Sequence, residues 1–311
     1  MKKRILVLSS ANMDFVMNIS RIPSPGETIM EKGKYRLIPG GKGGNSAIAV
    51  ERLGGDCVFC AKLGKDANGE ALRALYSSEG INLTALRFTS EAPTGLAAIT
   101  VEDDGTNRIS VFPGANNYLN ADDAEEALLC YPDALFMHFE VPEEAILTAA
   151  HFATKKNIPI VIDAGPAKPD FPFHKLPPLE IFSPNETETL AYTGINPNTA
   201  ENALRAAVAL QKIVRSHYYV IKLGGRGALV YDGKYYNIAP SYEVKTIDTT
   251  AAGDSFTAAL TLEYLRSGNI MRACRYAHAV GALVVSRSGA STSIPNEKQL
   301  SDFIKMKNIE L

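Results

Sequence analysis

Short apolar runs alternate with amphipathic helical stretches along most of this 311-residue chain, and that rhythm constrains the fold more than any other feature. Apolar or β-branched runs fall at residues 5–8, 58–63, 134–139, 158–163, 179–182, 219–223 and 228–231. Between most of them, residues 45–53, 69–78, 124–130, 143–155, 200–214, 254–266 and 271–286 repeat apolar positions at helical spacing. Such alternation predicts βαβ units and a largely parallel sheet flanked by helices. The rhythm breaks twice. Residues 11–37 and 94–112 read as strands separated by turn residues (Pro23, Pro25, Gly26 and Gly33; Asp103, Asp104 and Gly105), with no helix between them. These two stretches are expected to pair as a small separate sheet, discontinuous in sequence. In open α/β sheets ligands bind beyond the carboxyl ends of the strands, so chemistry is expected at strand-to-helix junctions.

Composition narrows the function classes. Hydrophobic residues make up 46% and charged residues 21%, enough for a buried core and without a disorder signature. Lys plus Arg is 32 against 34 for Asp plus Glu, a formal charge of −2, which argues against nucleic-acid or membrane-surface binding. The opening MKKRILVLSSANMD has an apolar run too short to span a bilayer and no signal-peptide cleavage pattern, so the chain is expected to be soluble and cytoplasmic. Cys57 and Cys60 form one C-x-x-C, but Cys130 and Cys274 have no Cys or His partner at zinc spacing. Three residues apart on a strand, Cys57 and Cys60 should point to opposite faces and stay buried and reduced. The five histidines are scattered, and no metalloenzyme site built from protein ligands is expected.

Two glycine-bearing motifs carry the chemistry. DTTAAGDSF at 248–256 follows a strand-like stretch at 242–247 and opens a helix. Ala251, Ala252, Gly253 and Asp254 should expose backbone N–H groups at the positive end of that helix, a setting suited to an anion such as a phosphoryl group. Asp254, in the first turn, is placed to take a proton from an acceptor hydroxyl; the plainer reading is that Asp248 or Asp254 caps the helix. PGGKGGN at 39–45 sets Gly40 and Gly41 before Lys42 and Asn45, and matches neither the Walker A pattern nor GxGxxG. It reads as a polyol-binding loop or as a flexible turn. Weaker signals lie at other strand ends: Asn12 and Asp14, able to grip sugar hydroxyls; Glu140; and Asn185 with Glu188, an acid able to act through water on phosphate-bound Mg²⁺ or simply to start a helix. KLGGRG at 222–227 is a turn between strands, making a hairpin or backing onto a nucleotide.

Together these residues resemble the ribokinase family of carbohydrate kinases. DTTAAGDSF resembles its C-terminal signature and GGKGGN its N-terminal one, with NMD at 12–14, PGET at 25–28, Glu140, SPNETE at 183–188 and KLGGRG at 222–227 in the family's order. The resemblance implies a three-layer α/β/α sandwich with a mostly parallel sheet (residues 1–10, 38–93 and 113–311) and a β lid (11–37 and 94–112). It implies ATP-dependent phosphorylation of a sugar hydroxymethyl, ribose being favoured by Asn12, Asp14 and Glu140, with fructose, deoxyribose, 2-keto-3-deoxygluconate or a nucleoside as alternative acceptors. Asp254 would be the base, and the amides of Ala251, Ala252, Gly253 and Asp254 the anion hole. Sugar contacts would fall on Asn12, Asp14, Gly40, Gly41, Lys42, Asn45, Glu140 and Asp254. Nucleotide contacts would fall on Asn185, Lys222, Gly224, Gly225, Gly227, Gly253 and His278, with Glu188 near the metal. A monovalent-cation site for K⁺ would map to Asp248, Thr250, Val284, Arg287, Gly289 and Ser293, and two lids would clasp into a homodimer. Lys222 stands where a small hydroxyl residue is common, His278 where Asn is common, and Gly44 where Ala is usual. Two other readings compete: an esterase built on Gly253-Asp254-Ser255, against which the absence of any His beyond His278 weighs, and a sugar sensor with a dead kinase site.

Overall fold

The computed structural model describes residues 2–104 and 106–311; Gly105, expected in a turn, lies outside the described residues. In chain order the strands are β1 (Arg4–Leu8), β2 (Asn12–Ile19), β3 (Tyr35–Gly40), β4 (Asp56–Gly64), β5 (Leu86–Thr89), β6 (Gly95–Glu102), β7 (Asn107–Phe112), β8 (Ala134–Met137), β9 (Ile160–Asp163), β10 (Leu179–Ser183), β11 (Ser216–Lys222), β12 (Ala228–Tyr231) and β13 (Tyr236–Ala239). The α-helices are α1 (Lys42–Arg52), α2 (Ala67–Ser78), α3 (Ala121–Leu128), α4 (Glu143–Lys155), α5 (Glu186–Thr193), α6 (Ala200–Ile213), α7 (Ala252–Ser267), α8 (Ile270–Val285) and α9 (Glu297–Met306).

Nine strands form one sheet in the order β13-β12-β11-β10-β9-β8-β1-β4-β5. It is parallel from β11 to β5, and β12 and β13 add an antiparallel edge. Its central strands read as unbroken apolar runs because both faces are covered. On β1, Ile5 and Val7 enter the core beneath α1, α2, α7, α8 and α9, while Leu6 and Leu8 enter the core beneath α3, α4 and α6. Cys57 and Cys60 divide between the same two cores, buried and unpaired, as strand periodicity requires. Four strands form a second, smaller sheet in the order β3-β2-β6-β7, with β2 and β6 parallel and the outer pairs antiparallel. The two stretches that break the α/β rhythm thus pair with each other.

Several local expectations need correction. Residues 242–247 are not a strand: Pro240 ends β13, and the segment leaves the sheet to lie against α8, where the Ile247 N–H donates to the Val285 carbonyl at 2.7 Å. The helix after the PGGKGGN loop begins at Lys42, not Asn45, so Lys42, Gly43 and Gly44 form its first turn. KLGGRG makes the β11–β12 hairpin through a short 3₁₀ turn. The strand pattern missed β5 and β13.

Candidate active site

The N-terminus of α7 is the centre of the site. Ala251 caps it in the left-handed conformation (φ 63°), strain that places the following amides. The Ala252 N–H donates to the Thr249 carbonyl at 3.2 Å, whereas the Gly253 and Asp254 N–H groups donate to no acceptor among the described residues. The donors left for an anion are therefore fewer than the four expected. Asp254 is not the cap. Its side chain is buried and accepts from Asn45 Nδ2 at 2.9 Å, with Lys42 Nζ 3.4 Å from its other oxygen. Neighbouring Ser255 is fully buried and its Oγ has no partner, so it lacks the base an esterase nucleophile needs.

The glycine-rich loop delivers Lys42 and Asn45 because only glycine allows its approach. Gly41 caps α1 at φ 84°, and a Cβ there would lie 2.7 Å from the Asn12 nitrogen. One turn on, Tyr76 OH occupies the space that a Cβ on Gly44 would need, which explains glycine where alanine is usual. Glu140 accepts from Ser10 Oγ and from the Lys42 N–H at 3.4 Å. Burial raises its carboxyl above the ordinary value. Asp14 lies over Gly40, and burial together with Glu140 and Asp254 pushes its carboxyl up to about 7. Asn12 is held through its Oδ1 by Asn116 Nδ2 at 2.7 Å, and Asn116 also takes the Ala11 N–H at 2.9 Å. Sequence reading missed Asn116, whose signal is its turn position directly after β7. The cleft thus brings together Asn12, Asp14, Gly40, Gly41, Lys42, Asn45, Glu140 and Asp254. Lys42, beside Asp254, is held firmly in its charged form.

Beyond Gly253 opens a cavity of about 640 Å³, lined by Lys222, Gly224, Gly225, Gly227, Gly253 and His278 among others. Six expected nucleotide residues therefore share one cavity, while Asn185 and Glu188 lie beside it. The latter two form a reciprocal cap at the start of α5, with the Glu188 N–H donating to Asn185 Oδ1 at 2.8 Å and the Asn185 N–H to Glu188 Oε2 at 2.7 Å. Burial raises the Glu188 carboxyl. His278 packs edge-on against Phe256, its Nε2 has no partner, and burial lowers it to about 4, so it is neutral. Sequence reading missed Asp163, at the carboxyl end of β9, which receives Lys222 Nζ at 2.5 Å. It also missed His138, buried with Ser46 Oγ 3.3 Å away. An acid closing a buried parallel strand was the available signal for Asp163.

Of the residues assigned to a cation, Asp248, Thr250 and Gly289 meet directly. Asp248 Oδ1 accepts from the Thr250 N–H (2.9 Å) and Oγ1 (2.7 Å), and Oδ2 accepts from the Gly289 N–H (3.0 Å). These bonds outweigh burial and hold its carboxyl below the ordinary value. Val284 lies in the last turn of α8, Arg287 just beyond it with its guanidinium on Gln299, and Ser293 in a 3₁₀ turn where it bonds the Ala290 carbonyl. No three His, Cys, Asp or Glu among the described residues group so as to hold a metal ion. No described helix is long and apolar enough to cross a membrane.

A carboxylate-lined polar cleft that meets a nucleotide-sized cavity at a helix N-terminus is the site of a small-molecule phosphotransferase. A family model described as pfkB family carbohydrate kinase matches residues 2–297. The chain is 32% identical over 308 residues to the ribokinase of Haemophilus influenzae, covering 98% of this chain and 99% of that protein. It is 27% identical over 306 residues to the deoxyribokinase of Salmonella typhi, covering 97% and 99%. Among solved structures, Arabidopsis thaliana ribokinase complexed with ribose and ATP matches at a TM-score of 0.89 and 29% identity, covering 98% of this chain and 99% of that one. The chain belongs to the pfkB family of carbohydrate kinases.

Proposed function

We propose that this carbohydrate kinase transfers the γ-phosphoryl group of ATP to the 5-hydroxyl of ribose. The observation that carries the reading is Asp254, buried at the start of α7, held by Asn45 and Lys42, where the polar cleft meets the 640 Å³ cavity. The relatives named above, ribokinases at 29–32% identity over nearly the whole chain, point to ribose. Asn12, Asp14, Asn45 and Glu140 hold the sugar, and Asp254 accepts the proton of its hydroxyl. The freed oxygen attacks the γ-phosphorus, the bond to the β-phosphate breaks, and ADP leaves with the electron pair. The Gly253 and Asp254 amides meet charge on the transferring group. Mg²⁺ brought by the phosphates would supply further neutralisation; Glu188 would hold it through water, and its Oε1 beside Gly165 occupies a cradle that a Cβ would fill. Asp248, Thr250, Val284, Arg287, Gly289 and Ser293 offer the hard oxygen donors that a monovalent cation such as K⁺ prefers.

Residues 11–37 and 94–112 act as a lid that keeps water from competing as acceptor, and the rest of the chain forms the α/β body. The exposed apolar side chains of β7 support a lid-to-lid homodimer. The test is Asp254→Asn: turnover should fall about 1,000-fold or more while ribose and ATP still bind by calorimetry. Near-normal turnover in that variant would reject Asp254 as the base.

A further inference from the structure

The Lys222–Asp163 contact is a buried ion pair that stability alone does not explain. Lys222 is anchored at the end of β11, where its N–H donates to the Pro184 carbonyl at 2.8 Å. Its Nζ donates to Asp163 Oδ2 at 2.5 Å and to Thr257 Oγ1 at 3.3 Å, and Thr257 Oγ1 in turn donates to Asp163 Oδ2 at 2.5 Å. Asp163 Oδ1 takes the Gly165 N–H at 3.3 Å. The Lys222 side chain is 11% exposed and that of Asp163 is 2% exposed, so both charges have left water. A buried pair of this kind is on average no more stabilising than apolar residues of the same volume, because desolvation offsets the attraction.

Its position suggests a use. Lys222 lines the 640 Å³ cavity, and its Nζ lies only 3.8 Å from where a Cβ on Gly253 would stand, beside one of the two free amides of α7. An ammonium has three donors; Asp163 and Thr257 take two, which leaves the third for the cavity. Thr257 lies on α7 itself, so the triangle of Lys222, Asp163 and Thr257 fixes the cation to the helix that supplies the amides. Burial opposes ionisation of Asp163, but Lys222, His138 and Lys42 outweigh it and hold the carboxyl below its ordinary value, so the anchor stays charged.

We propose that Lys222 is a catalytic residue whose ammonium hydrogen-bonds a non-bridging oxygen of the transferring phosphoryl group, and that Asp163 and Thr257 are the positioning residues that aim it. No proton moves in this contact; the ammonium carries part of the charge that the Gly253 and Asp254 amides carry otherwise. The inference rests on the reading that ATP occupies the 640 Å³ cavity.

The experiment compares ATP and AMP binding by calorimetry, and turnover by ADP release, in the full chain and in Lys222→Met, Asp163→Asn and the double variant. Lys222→Met should weaken ATP binding about tenfold or more and lower kcat about 100-fold, with AMP binding within about twofold, because AMP lacks the group contacted. Asp163→Asn should lower kcat about tenfold with the same AMP affinity. The double variant leaves neither charge unpaired and so keeps the comparison open if a single variant folds poorly. It should match Lys222→Met, since Asp163 acts only through Lys222. ATP affinity and kcat within about twofold of the parent in Lys222→Met, or additive losses in the double variant, would overturn the inference and leave the kinase reading standing. Failure of the unsubstituted chain to bind ATP or AMP would overturn both.

Discussion

Asp14 is a residue whose protonation the fold shifts up to about neutral pH. Its ordinary value is 3.8, and burial, Glu140 and Asp254 raise it to about 7 in the folded chain. Below the ordinary value both states hold the proton, so no difference arises. As pH rises toward about 7 the unfolded chain releases it and the folded chain does not, so stability falls across that window. Asp14→Asn removes this loss: its melting temperature should exceed the parent's by several degrees at about pH 8 and by much less at about pH 5. Parallel melting curves for the two proteins across that range would contradict the assignment. At this scale the sequence was informative where a residue sits in a signature. Asp254, Lys42 and Asn45 were legible because glycines and small residues surround them at strand-to-helix junctions. Asn116, His138 and Asp163 were not, because each is a lone polar residue whose side-chain partners lie 59 or more positions away in sequence.

Two helix N-termini, those of α1 and α7, build the site between them. Each begins with a residue at positive φ, Gly41 at 84° and Ala251 at 63°, and each thereby turns its first side chains inward. Gly41→Ala puts a methyl 2.7 Å from the Asn12 nitrogen and 3.2 Å from the Ala11 Cα, in a conformation that L residues rarely adopt. The start of α1 must shift, taking Lys42 and Asn45 from Asp254. The expected result is a melting temperature lower by several degrees and a sugar KM raised about tenfold, read by thermal denaturation and ADP release. A variant with the parent's stability and KM would show that α1 tolerates the shift. Element type followed from periodicity, and α4 matches its expected limits of 143–155. Where the hydrophobic pattern fitted but a hydrogen-bonding partner was lacking, it misled: residues 242–247 alternate like a strand, yet no neighbour pairs with them beyond β13. β5 and β13 carry Arg87 and Asn237 within four residues, so neither reads as an unbroken apolar run.

At the scale of the whole molecule, the charge of −2 argues against a broad polyanion-binding face, whereas the proposed phosphate contacts need only a few donors, such as the Gly253 and Asp254 amides. The small sheet raises the other question of scale. By register Asp14, Val16, Arg36, Ile38, Ala97, Ile99, Ile109 and Val111 share one face, and Ile109 and Val111 are 57% and 51% exposed. A mostly apolar face that runs up to Asp14 of the cleft is an unusual thing to leave in water. Ile109→Lys combined with Val111→Lys should convert a dimer to a monomer in sedimentation and raise the sugar KM. A parent chain already monomeric at micromolar concentration would reject the lid-to-lid dimer.

Acceptor choice is a property of the site as a whole. ADP release should be measured with ATP and, in parallel, ribose, deoxyribose, fructose, 2-keto-3-deoxygluconate and a set of nucleosides. The expected result is a kcat/KM for ribose at least about tenfold above every other acceptor, with ribose 5-phosphate as the product. Another acceptor ranking first, or ADP release that no sugar accelerates, would contradict ribose phosphorylation.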